Sequence, residues 1–244
     1  MTKKQENPWA SGPAEIMKHG FELLSKDTDA SRRIAMILID NAVEQMMKAY
    51  LSLPKRVLGF SISRKKRSEA FENFPSLLDA FEEHAASKLD GIDLGVIEWY
   101  HNLRNELYHQ GFGLTVEQEK VEIYGELARI LFQNLFGETL PDIRDSKATM
   151  LGRFLESWNR LDKALITLAR NYGLDRNFAA TLHSTRYLRD VGGIENQAYY
   201  EVEELRKLRN EIVHNQTDFN KVLTERIVAR ISELADFYKD VLSE

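Results

Sequence analysis

The sequence predicts an all-α protein built as two tandem helical bundles, on three observations. Apolar residues recur every three or four positions over long stretches, as in Leu151, Phe154, Leu155, Trp158, Leu161, Leu165 and Leu168, which is the period of one helix face. Strand alternation and hairpin turn signals are absent from the sequence. A six-residue stretch also occurs twice, as Arg104-Asn105-Glu106-Leu107-Tyr108-His109 and Arg209-Asn210-Glu211-Ile212-Val213-His214. The same offset superposes Glu98 on Glu203 and Leu103 on Leu208. A duplication in 244 residues favours two bundles of about a hundred residues each. We expect a lead over residues 1–11, bundles over 12–138 and 148–244, and a linker over 139–147, with a pseudo-two-fold axis relating the bundles.

Each element has its own signals. Pro13 suits the first turn of a helix running to about Lys26. A second helix runs from near Asp29 to Leu53, stopped by Pro54, with a broad stripe through Ile34, Ile37, Leu38, Ala42 and Met46. Asp40, Asn41, Glu44 and Lys48 are its expected exposed flank. The segment through Gly59 to Arg67 reads as a loop carrying the basic cluster Arg64, Lys65, Lys66 and Arg67, either a phosphate contact or a solvated loop. A helix over Ser68 to Ala86 accommodates Pro75 only with a kink or a break.

Asp90-Gly91 turns the chain into a motif helix over Asp93 to Gln110, which Gly111-Phe112-Gly113 ends as a C-cap. Thr115 with Gln118 resembles a capping box opening a helix that runs to Gly137. Gly137 to Ser146 is the linker candidate. Helices follow over Ala148 to Tyr172 and Asn177 to Arg189; Gly192-Gly193 breaks the chain, and the second motif helix covers Glu195 to His214. The closing helix, Asp218 to Leu242, is expected to turn Val222, Ile227, Ile231, Leu234, Phe237, Tyr238 and Val241 inward.

At 100° per residue with Arg104 at zero, Tyr100, Leu103 and Leu107 fall between about −40° and −100°, and Glu98, Asn102, Asn105 and His109 between about +100° and +160°. The second copy gives the same wheel. Each arginine then sits at the seam of an apolar and a polar face, with the motif displayed to solvent. Neither has a carboxylate three or four residues away on its own helix. Glu106 and Glu211, each three residues before a histidine, are its expected ion-pair partners.

Both copies resemble the mark of the HEPN superfamily (higher eukaryotes and prokaryotes nucleotide-binding): Arg, a polar residue such as Asn, a few more residues, then His, on a helix near the end of a small bundle. Ile39 to Ala49 also looks like the early helix of several prokaryotic members. The resemblance implies a metal-independent endoribonuclease whose site forms where two motif helices meet, usually across a dimer, in a toxin or antiviral-defence effector. It implies RNA as substrate, a homodimer or pairing of the two halves, and an inhibitory or antitoxin protein as partner. Some HEPN toxins carry a Tyr two residues after the His; here Gly111 and Gln216 stand there.

The chemistry fits the residue types. RNA carries its own nucleophile, the 2′-hydroxyl, so cleavage needs a base, an acid and a cation at the phosphate. Histidine titrates near neutrality, and arginine donates in a planar fork without losing its charge. His109 and His214 are thus the acid/base candidates, Arg104 and Arg209 the phosphorane stabilisers, and Asn105 and Asn210 the positioning groups. One helix cannot enclose a phosphate with both groups about 140° apart, so two are expected to face one cleft.

Composition bounds the rest. The absence of cysteine excludes thiolate metal sites, and the six histidines show no metal-ligand spacing; no metal or cofactor is expected. A net charge of −5 argues against broad nucleic-acid coating while allowing a local basic cleft. The start of the chain lacks a signal-peptide core and the longest apolar run, Ile34 to Ile39, is too short for a bilayer, so a cytoplasmic protein away from the membrane is expected. Two other functions fit the residues: a noncatalytic HEPN module that partners or inhibits another protein, and a substrate-binding companion of a nucleotidyltransferase.

Overall fold

The computed structural model describes residues 8–109, 115–140, 146–174 and 181–242. Among them every regular element is a helix. Two compact units divide the chain, Met1–Arg144 and Asp145–Glu244.

The first unit contains α1 (Ser11–Leu24), α2 (Asp29–Leu51), α3 (Lys55–Leu58), α4 (Arg64–Ala70), α5 (Phe74–Ala85), α6 (Leu94–His109) and α7 (Gln118–Phe136), with a single 3-10 turn at Ala86–Lys88. Helix α2 starts in a reciprocal capping box: the Thr28 side chain accepts from the Ser31 amide, and Ser31 Oγ accepts from the Thr28 amide. Such caps satisfy two of the four orphan amides of a helix start. Arg32, one turn in, reaches the Val116 carbonyl at 3.1 Å and fastens this end of α2 to the segment before α7.

Helix α2 packs on α1, α5, α6 and α7. Helix α7 is buried on every side from Val121 to Phe132, polar positions included. Gln118 donates to Glu122, and Arg129 Nε donates to Glu126 Oε2 at 2.9 Å. A helix buried on all sides is a core element of this unit, beside α2.

The 68–86 helix resolves as a break. Helix α4 ends at Ala70, and α5 restarts at Phe74 with the Asn73 side chain capping the Ser76 amide and Pro75 in the first turn, where no amide is missed. The basic cluster expected on a loop lies in α4 instead, because Ser63 caps the Lys66 amide and nucleates a helix there. The Thr115 capping box does not form: α7 begins at Gln118 after Glu117 without a side-chain cap. Gly137 ends α7 in the left-handed conformation (φ 69°).

The second unit contains α8 (Ser146–Asn171), α9 (Thr181–Asp190), α10 (Asn196–Val213), α11 (Phe219–Val222) and α12 (Glu225–Val241). The expected start of α9 at Asn177 lies outside the described residues. Helix α8 packs along α12 and against α9, and α9 against α10.

Gly192 is left-handed (φ 74°), and a Cβ on Gly193 would lie 2.9 Å from Leu188 Cδ2, which explains the glycine pair. The closing helix is broken, since Thr224 caps Ile227 and starts α12 afresh. Ile231, Leu234 and Tyr238 turn inward as expected, whereas Phe237 and Val241, at the edge of that stripe, are exposed.

Helices α10 and α12 are tied by Arg230, whose Nη2 donates to Glu201 Oε2 at 2.7 Å. That bond holds the Glu201 carboxyl below the usual glutamate range. A depressed carboxyl contributes stability above its unfolded pKa of about 4.3 and loses it as the pH falls. Glu201→Gln is therefore expected to lower the melting temperature of the second unit at pH 7 and change it little at pH 3. Equal losses at both values in thermal unfolding would show that the pair acts through packing alone.

Candidate functional site

The first motif converges on a buried carboxylate. Asp40, at the middle of α2, is fully buried, not on the exposed flank expected of it. Tyr124 on α7 donates its hydroxyl to Asp40 Oδ1 at 2.8 Å. The His101 ring on α6 places Nδ1 3.0 Å from Oδ2 and 3.3 Å from Oδ1. Arg104, one turn after His101, brings Nε within 3.3 Å of Oδ2.

This arrangement follows from ordinary needs. A carboxylate removed from water is tolerated only when its oxygens are paired and hydrogen-bonded. Burial pushes the Tyr124 hydroxyl well above its ordinary pKa, reinforced by the Asp40 charge and hydrogen bond, so the phenol remains a donor. The Phe74 ring stacks on His101 with centroids 3.7 Å apart and planes 5° from parallel. Tyr100 stacks on Tyr124 at 4.6 Å. The neighbouring rings thus fix both aromatic partners of Asp40.

From this base Arg104 extends along the polar side. Its Nη1 donates to Asn105 Oδ1 at 2.9 Å, and its guanidinium lies 5.6 Å from the Tyr108 ring centroid. Asp40 therefore supplies the carboxylate that its own helix lacks. The pairing neutralises the buried charge and holds the guanidinium in one orientation.

In the second motif Arg209 Nη1 donates to Asn210 Oδ1 at 3.1 Å, the same bond in the same place. Arg209 is only 6% exposed, however, so the expectation of a displayed motif fails there. The wheel explains this. Counting from each arginine, Ile97 and Val202 fall at about +20°, Tyr100 and Leu205 at about −40°, and Leu107 and Ile212 at about −60°; all six are buried. The arginines lie within the inward stripe and not at its seam, and Leu208, expected inward, is half-buried.

The surroundings of the second copy differ too. Glu203 takes the Thr185 hydroxyl at 3.3 Å and the Arg206 guanidinium at 2.7 Å, and Arg206 stands where the first copy has His101. Burial of Asp40 and its contact with His101 are what the sequence reading missed; Tyr124 and Arg104, hydrogen-bonding side chains on elements flanking α2, offered the signal.

His109 closes α6, its side chain lying outside the described residues. His214 follows α10 as its C-cap residue and is exposed. The expected Glu211 to His214 pair does not form; Glu211 lies 3.9 Å from Lys207. Arg64, Lys65 and Lys66 are exposed on α4, with Arg67 half-buried. Lys66 approaches Glu83 on α5 at 3.5 Å, about 13 Å along that helix from Phe74 at 1.5 Å per residue. The basic helix and the arginine cluster therefore meet different ends of α5.

Among the described residues no group of three His, Cys, Asp or Glu side chains is arranged to hold a metal ion, and no helix is long and apolar enough to cross a membrane. Compared with protein-family models, curated proteins and solved structures, the chain gives no match.

Proposed function

We propose that the protein is a metal-independent endoribonuclease of the HEPN type. The observation that carries this reading is the arginine-to-asparagine hydrogen bond made identically in both motifs, at 2.9 and 3.1 Å. It fixes each guanidinium before any ligand arrives. Preorganised cations contribute more to catalysis than mobile ones, because no reorganisation is required as charge develops.

In the reaction a histidine of the motif takes the proton of the 2′-hydroxyl, and the 2′-oxygen forms a bond to the adjacent phosphorus. Arginine meets the negative charge of the phosphorane. The bond from phosphorus to the 5′-oxygen then breaks, and that oxygen receives a proton from a second histidine. The products carry a 2′,3′-cyclic phosphate and a 5′-hydroxyl. Base and acid come from two motif helices, as the resemblance implies. Arg64, Lys65, Lys66 and Arg67 serve as an outlying contact for RNA phosphates. Its setting is that of a toxin or antiviral-defence effector, acting in the cytoplasm and held in check by an inhibitory protein.

Burial of Arg209 favours a second reading, a noncatalytic module that keeps the motif for structure. One experiment separates the two. Purified protein with single-stranded RNA in excess EDTA is expected to yield cyclic-phosphate ends, and RNA carrying 2′-O-methyl groups is expected to resist. RNA left intact across varied sequences, or cleavage abolished by EDTA, would defeat the nuclease reading.

A further inference from the structure

We propose that Tyr108 is a base-stacking residue which, with Arg104, gives the first motif a contact for one nucleotide of single-stranded RNA. This rests on the ribonuclease reading and adds to it the form of the substrate. Tyr108 lies in the motif but has no part in the acid/base scheme.

Three observations carry the proposal. Tyr108 is 63% exposed although it sits on a helix with a buried stripe. Its ring lies 5.6 Å from the guanidinium of Arg104 one turn earlier, so the phosphate-binding charge and an aromatic surface are presented side by side. The third is the contrast between the copies: the residue matching Tyr108 is Val213, fully buried. The duplicated helix needs an apolar residue at this position in one unit, whereas the other unit turns an aromatic residue outward.

The chemistry of the two groups selects the ligand. An arginine fork addresses a phosphate, and an aromatic ring beside it offers a face on which a nucleobase can stack. A base within a duplex is already stacked on both sides, so the ring favours an unpaired one. Every base has a π-face, so stacking confers little sequence preference. The proposed substrate is therefore unpaired RNA of varied sequence, with the base next to the scissile phosphate laid on Tyr108.

Arg104 is held from the inside by Asp40 and along the helix by Asn105. Replacing Tyr108 therefore removes the ring while leaving the supports of the arginine in place.

The test uses the full chain carrying His109→Ala and His214→Ala, so that RNA is bound without being cut, and follows anisotropy of a fluorescein-labelled single-stranded oligoribonucleotide. Adding Tyr108→Ala is expected to weaken binding by about 5- to 100-fold, the range given by base stacking on an aromatic, while Tyr108→Phe stays within about twofold. An oligonucleotide of the same length with abasic sites is expected to bind both proteins equally weakly. Equal affinity of Tyr108→Ala and its parent for the normal RNA overturns the proposal, as does an equal loss on the abasic RNA. Circular dichroism of each variant separates a lost contact from a lost fold, and Tyr108→Phe tests the ring where the alanine variant fails to fold. Tyr108-dependent binding in a protein whose unmutated form leaves RNA intact would retain the stacking site and reject the nuclease. Absence of RNA binding would reject both.

Discussion

Asp40→Ala is expected to destabilise the first unit by about 3–5 kcal/mol, the range for removing one partner of a buried ion pair. The loss exceeds the value of any single contact because three groups are orphaned together. Tyr124 loses the acceptor of its 2.8 Å hydrogen bond, His101 loses the carboxylate at 3.0 Å, and Arg104 keeps its charge beside Asn105 and the Tyr108 ring with no carboxylate to balance it. Asp40→Asn preserves the volume and one acceptor and is expected to cost less than the alanine change. Tyr124→Phe, which removes one donor and leaves the carboxylate with two partners, is expected to cost about 1–3 kcal/mol.

Urea unfolding monitored at Trp99 on α6 measures these changes in the first unit. A loss below about 1 kcal/mol for Asp40→Ala would show that the cluster does not hold this unit together. The tyrosine adds a pH signature. Its folded pKa is raised, so its contribution is complete below the unfolded value near 10 and declines as the pH rises above it. Tyr124→Phe should lessen that alkaline decline, the rest coming from Tyr100 and Tyr50, which burial also raises.

The helices were legible because their punctuation is local. Pro75, Gly137 and the Gly192-Gly193 pair each mark a stop or start that backbone geometry enforces. Caps at Ser63 and Thr224 were missed for opposite reasons: the charged residues after Ser63 also suit a loop, and the apolar periodicity on both sides of Thr224 suits one unbroken helix. The arginine face was misread for a different reason. Tyr100, Leu103 and Leu107 alone put the apolar stripe to one side of Arg104, whereas Ile97 and Val202, two turns before each arginine, extend it across the arginines themselves.

Asp40 shows what a single helix cannot reveal. Its neighbours Asn41 and Glu44 suggest a wet flank, and only its partners on α6 and α7 make burial tolerable. The partners that secure Asp40, and through it Arg104, lie 61 to 84 residues away in the chain, beyond the reach of any local pattern.

His109→Ala is expected to lower kcat for RNA cleavage by about 10²- to 10⁴-fold, the usual contribution of a positioned acid or base, with KM changed little. The argument begins with the inequality of the two motifs. Arg104 has a partly exposed side chain (23%) and an aromatic neighbour open to solvent, while Arg209 is 6% exposed and is followed by buried Val213. The first motif therefore offers its guanidinium to a phosphate more readily, and the expected order of the histidine variants follows that of the arginines. His214→Ala is expected to cause the smaller loss, and the double variant to abolish cleavage in EDTA. A fall in kcat with KM preserved marks an interaction made in the transition state alone once circular dichroism shows the variant folded, since an unfolded fraction lowers kcat in the same way; partial rescue of His109→Ala by added imidazole would identify the missing group as a proton carrier. Equal losses from the two single variants would refute the inequality of the motifs. Cleavage unaltered in the double variant would refute the assignment of both histidines.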